Sequence, residues 1–326
     1  MRKLSGIALG VALSLAGTVC AQAPAGPAYP AKTVRILVGF APGGGIDVVA
    51  RLFAQRLTES MGQSFIVENR PGAGGTIATE LVAKAPPDGH TLLMVSVTHA
   101  INATLYSKLP YDSLRDFAPV GAVAQQADGI LAHPSLPVQS LRELIGLAKT
   151  SPHKLSYAHA GNGTMMHVGM ELFLSMAGIK VLAVPYNGSG PSTLAVLGGQ
   201  VPILSSSLPP ALPHARSGKL RMLAVTTAQR TPLAPEFPTV AEAAGLKGYE
   251  AVLWIGLLAP AATPPAIVNR LSAELGRLVQ TKELREQLTG QFTDPYYETP
   301  VGFTQVIRTD ISKWGKIVRD TGSSVD

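Results

Sequence analysis

The chain has 326 residues and a single cysteine, Cys20, so it is long enough to bury one or two apolar cores unaided and has no disulfide framework or cysteine-bound cluster. Its formal charge of +6 is a mild excess, and no Lys/Arg cluster is interleaved with aromatic residues. That argues against nucleic acid as a partner while leaving scope for attracting small anions.

Arg2 and Lys3, an apolar run over 7–17 and the small-residue site Val19-Cys20-Ala21 predict a removable secretion signal over residues 1–21. The run is too short to span a bilayer, and no later apolar stretch approaches that length. Cleavage after Ala21 leaves Gln22 first, removes Cys20 and reduces the charge to about +4. Val19 stands where a lipoprotein needs a small residue before its cysteine, so no lipid anchor is expected. The mature chain is thus expected to be exported.

A Pro/Ala/Gly tether over 24–30 precedes an apolar, β-rich run at 34–40, a glycine turn, and a helix with Val49, Leu52, Phe53 and Leu57 on one face, stopped by Gly62. A second strand at 65–68, a glycine turn at 69–75, a helix face of Ile77, Ala78, Leu81 and Val82, and a third strand at 91–97 repeat that unit. The pattern restarts near Ala127. It continues with a helix opened by Ser140 and Glu143, a strand at 155–158, a glycine turn at 160–164, a helix bearing Met166, Met170 and Phe173, a strand at 181–185 and another at 220–226. A strand at 254–259 reads as a return to the first section, followed by a helix through Ile267, Leu271, Leu275 and Leu278 and a last one carrying Phe303, Val306, Ile307, Trp314 and Ile317. This grammar predicts an α/β protein of two lobes, 22–126 plus 255–326 and 127–254, with its site in the cleft between them.

Phe40, Ala41, Gly43, Gly44 and Asp47 sit where a strand meets a helix, so exposed N–H groups and the positive helix end face the cleft, with Asp47 placed to cap the helix or accept from a ligand. Asn162, Gly163, Thr164 and His167 offer the same chemistry from the second lobe. Thr98 follows the third strand, Tyr186 and Asn187 lie in a turn after a strand end, and Ser206 and Ser207 end an apolar stretch. Two such turns can hold a molecule with an oxyanion at one or both ends; ordinary tight turns are the competing reading.

A nucleotide site fails at its third glycine, which is replaced by Val48, Ile77 and Met166 in three successive loops, and no Walker lysine follows any of them. Ser151 and Lys154 have the spacing of a nucleophile pair but follow a helix rather than opening one. His159 and His167 bracket a glycine turn without an H-E-x-x-H motif or a carboxylate at ligand spacing, so neither a metal nor a cofactor is expected, and His159 is expected to be structural or to line the cleft.

The segments at 40–47, 67–75 (V-E-N-R-P-G-A-G-G), 87–93 (P-D-G-H-T-L-L), 157–167 and 184–186 resemble, in order and spacing, the Bug-type substrate-binding proteins of tripartite tricarboxylate transporters, over essentially the whole mature chain. The resemblance implies a type II periplasmic-binding-protein fold that closes like a flytrap on an organic carboxylate, aliphatic or aromatic, and presents it to membrane permease subunits. It also implies that the carboxylate is held largely by main-chain N–H groups and waters from the two glycine turns, without a dedicated arginine. Pro202 and Ser205 to Ser207 depart from the family pattern and suggest a less acidic distal pocket, which disfavours an amino-bearing ligand. The expected protein is a monomeric binding protein rather than an enzyme; an exported hydrolase using the same cleft, or a periplasmic ligand sensor, is the alternative.

Overall fold

The computed structural model describes residues 29–151 and 154–321. The expected signal over 1–21 with Cys20, most of the tether, Pro152, His153 and Gly322 lie outside the described residues.

Strand β1 (Val34–Val38) leads through a glycine loop into α1 (Gly45–Met61), whose buried Val49, Phe53 and Leu57 make one apolar face. Gly62 ends it in the left-handed conformation, its N–H donating to Thr58 O. Strand β2 (Phe65–Asn69), a 3-10 turn at Ala73–Gly75, α2 (Thr76–Ala83), β3 (Thr91–Ser96) and α3 (Thr98–Leu105) follow, with β1 pairing in parallel to both β2 and β3. Parallel strands with helical crossovers bury both faces, which matches the largely apolar, largely buried β1 and β3, with Arg35 the exposed exception in β1.

The next strand, β4 (Phe117–Ala132), is sixteen residues long and joins the two halves of the molecule. Beyond it come α4 (Leu141–Thr150), β5 (Ser156–His159), α5 (Met165–Ala177), β6 (Leu182–Pro185), α6 (Ser189–Leu197), β7 (Ile203–Ser207), α7 (Leu208–Arg216), β8 (Arg221–Val225) and α8 (Val240–Ala244). The return strand β9 (Val252–Pro260) leads into α9 (Pro265–Val279), α10 (Lys282–Gly290), β10 (Asp294–Glu298) and α11 (Pro300–Thr321). The strand order is β2-β1-β3-β9-β4-β7-β5-β6, with β8 and β10 also pairing to β4. The first part of β4 pairs antiparallel to β9 and β10, and from Asp128 onward it pairs to β7, with β8 joining at Gly129.

The sequence reading has no strand at 117–126. Pro119, Gly121 and the polar residues Gln125, Gln126 and Asp128 obscure its period, and the register shifts between Pro119 and Gly121, Ala122 and Ala124, and Ile130 and Leu131. Phe53, Phe173 and Trp314 are fully buried, as their helical spacing predicts.

Candidate functional site

Asp47, one turn into α1, has its oxygens occupied by the loop that precedes it. Its Oδ2 accepts from Gly43 N at 3.0 Å and Arg51 Nε at 3.0 Å, and its Oδ1 accepts from Asn69 Nδ2 at 2.8 Å. Asn69 Nδ2 also donates to Phe40 O at 2.9 Å, so one buried carboxylate ties the glycine loop to the end of β2. Asp47 therefore shapes the loop, and its acceptors are engaged within the protein. Gly43 has φ +84°, a left-handed conformation that glycine adopts without strain.

The second glycine turn is locked in the same manner. Thr164 is the N-cap of α5: its hydroxyl donates to Gly161 O at 2.7 Å and accepts from His167 N at 3.3 Å. Gly161 N and Gly163 N donate to the Nδ1 atoms of His159 and His167, each at 3.3 Å, and the two imidazoles stack with centroids 4.7 Å apart. Burial pushes His159 down to about 3, with the neighbouring His167 adding to the shift, and burial pushes His167 down to about 4.

The loops meet across a cavity. From the first half of the molecule it is lined by Phe40, Gly44, Gly45, Ile46, Asp47, Ser96, Thr98, Gln126 and Leu253; from the second, by Ala160, Thr164, Met165, Met166, Ser189 and Ser207. Ala41 N donates to Asn187 O at 2.8 Å, which joins the two halves directly at the rim. No lysine or arginine is among the lining residues. Instead, the cavity receives the first residues of α1 (Gly45), α3 (Thr98), α5 (Met165) and α6 (Ser189), together with Ser207, the N-cap of α7. Helix N-termini present main-chain donors and a partial positive charge, so their convergence suits an anion held without a basic side chain.

Of the residues expected from the sequence, this cavity brings together Phe40, Gly44, Asp47, Thr98, Thr164 and Ser207. Asn162, Tyr186 and Asn187 line an adjoining recess with Phe40 and Gly74. Ala41, Gly43, Gly163, His167 and Ser206 line neither. Their polar groups serve the protein itself: Ser206, on the opposite face of β7 from Ser207, lies 3.2 Å from Thr193 Oγ1, and His167 supports the second loop. Gln126, Ser189, Ser96 and Leu253 are additions that no local motif marks, because each reaches the cavity from a separate element.

A family model described as "Tripartite tricarboxylate transporter family receptor" matches residues 49–323. The chain belongs to this family. Among solved structures, the receptor is similar to an R. palustris protein with adipate, at 36% identity and TM-score 0.87, covering 90% of this chain and 98% of that one. MatC from Rhodopseudomonas palustris, with bound malate, is 34% identical with TM-score 0.85, covering 89% and 100%. The periplasmic binding protein BugD is 30% identical with TM-score 0.87, covering 91% and 99%. The receptor accordingly has the two-lobed α/β fold of periplasmic binding proteins and is of the Bug type.

Proposed function

We propose that the receptor captures a small organic carboxylate in the periplasm and hands it to the permease subunits of a tripartite tricarboxylate transporter, as a monomer and without turning it over. The observation that carries this reading is the cavity on which four helix N-termini and the N-cap of a fifth helix converge, with no basic side chain in its lining. Charge-assisted bonds from preorganised N–H groups are strong enough to hold a carboxylate in such a place. The relatives solved with adipate and malate support the same ligand class. The lobes are 22–126 plus 255–326 and 127–254, a division supported by the change of partners along β4 at Asp128. The basic, apolar and small-residue order of residues 1–21 supports export with a cleaved signal.

Titration calorimetry of the chain from Gln22 onward against mono-, di- and tricarboxylates and aromatic acids, with sugars as controls, tests this function. Saturable binding confined to carboxylates is the expected result. Binding of sugars alone, or hydrolysis of a bound carboxylate ester, overturns it.

A further inference from the structure

The cavity carries acceptors that the protein itself does not satisfy. Gln126 is fully buried on β4, and the direction of its carboxamide is set by its neighbours. Its Nε2 donates to Thr293 Oγ1 at 2.7 Å and to Gly45 O at 3.3 Å, while the Thr293 hydroxyl donates onward to Gln291 O at 3.1 Å and so can only accept from Gln126. Gln126 Oε1 is left without a partner. It lies against the first residue of α1, within 2.0 Å of where a Cβ on Gly45 would stand.

Two residues along the same face of β4, Asp128 is 1% exposed with both carboxyl oxygens unpartnered. It is paired with Ser207, a cavity-lining residue whose hydroxyl is also unpartnered. The nearby Tyr249 hydroxyl donates to Gly169 O at 3.0 Å, and the Thr226 hydroxyl contacts the Asp128 main chain, so neither serves the carboxyl. Burial alone pushes the Asp128 carboxyl well above the usual carboxylate range. Asp128 is not itself among the residues lining the cavity.

Buried acceptors are rarely left unmatched, and an acceptor beside an anion site is repulsive unless a donor stands between them. We infer that Gln126 is a specificity-determining residue that selects carboxylates carrying a hydroxyl on the carbon next to the bound carboxylate group, with Ser207 completing that subsite. This rests on the carboxylate-binding reading above. A carboxylate seated at the start of α1 brings its adjacent carbon within reach of Gln126 Oε1. The hydroxyl donates to Oε1, and its oxygen is left free to accept from the Ser207 hydroxyl.

The test compares matched pairs in the mature protein by calorimetry: succinate with malate, glutarate with 2-hydroxyglutarate, adipate with 2-hydroxyadipate, and phenylacetate with mandelate, with aspartate alongside. Where a pair binds, the hydroxylated member should bind about tenfold more tightly, the size of one added hydrogen bond. Gln126→Met, checked for folding by circular dichroism, should bring the ratio toward one by weakening the hydroxylated member. If that variant does not fold, Ser207→Ala and the wild-type ratios decide. Equal affinities within every pair, an unchanged ratio in folded Gln126→Met, or tighter binding of aspartate than malate overturns the inference while leaving the carboxylate reading intact. Failure of every carboxylate to bind overturns both.

Discussion

His159 and His167 show how a buried residue can control a loop without lining the cavity. Each Nδ1 accepts a glycine N–H, a role that a proton on that nitrogen would abolish. The folded protein holds the pair near 3 and 4, against an ordinary value of 6.5 that an unfolded chain would restore. Below pH 6.5 the unfolded state therefore binds protons that the fold refuses. The pair's stabilisation is complete above that value and is lost as pH falls toward 4 and then 3. His99, lowered to about 4 by burial, adds to the same slope, whereas the raised Asp128 opposes it. In urea unfolding between pH 7 and 4.5, His159→Asn should lose up to about 1.4 kcal/mol less per pH unit than wild type, since an amide oxygen accepts without titrating. Parallel pH profiles for the two proteins would remove this residue from the account.

At the scale of elements, α11 is seated on β9 by one aromatic contact and one hydrogen bond. Trp254 and Phe303 pack edge to face at 4.9 Å, and Trp254 Nε1 donates to Asp310 Oδ2 at 2.6 Å. Gly256 makes room for this seat: a Cβ there would stand 2.3 Å from Phe303 Cζ and 2.9 Å from Gly121 O. Overpacking of that kind displaces side chain and backbone together, so Gly256→Val should cost about 1–3 kcal/mol in denaturant unfolding. A change below about 0.5 kcal/mol would mean that α11 moves aside freely. Phe303 and Trp314 were legible as one helix face from their spacing, but the glycine that admits Phe303 belongs to a strand 47 residues earlier.

For the whole molecule, the decisive device is the pair β4 and β9. Both run beside the cavity through Gln126 and Leu253, and β4 exchanges the partners of one lobe for those of the other within a few residues. The Ala41–Asn187 bond closes the rim from either side. A ligand that touches both lobes favours this closed arrangement over a more open one in proportion to its differential affinity. Small-angle scattering with a saturating carboxylate should therefore show a smaller radius of gyration than the free protein. At about a hundred times the dissociation constant, the ligand should also add roughly 2.7 kcal/mol of stability. Stabilisation with an unchanged radius would count against closure.

Local grammar determined a good deal of this receptor. Strand, glycine turn and helix recur because each unit has its own periodicity and its own breaker, so β1, β5 and their loops were readable, and with them Phe40, Gly44 and Thr164. The fate of polar groups was not readable in the same manner. Asp47 and Thr164 could face a ligand or their own loop, and the hydrogen bonds that engage them involve groups set by the folded loops. Ser206 and Ser207 are neighbours whose roles diverge because strand parity sends one toward Thr193 and the other into the cavity. Gln126 and Ser189 became part of one place only when β4 crossed between lobes and α6 turned its first residue inward, and contacts between distant segments leave no pattern in a single stretch of chain.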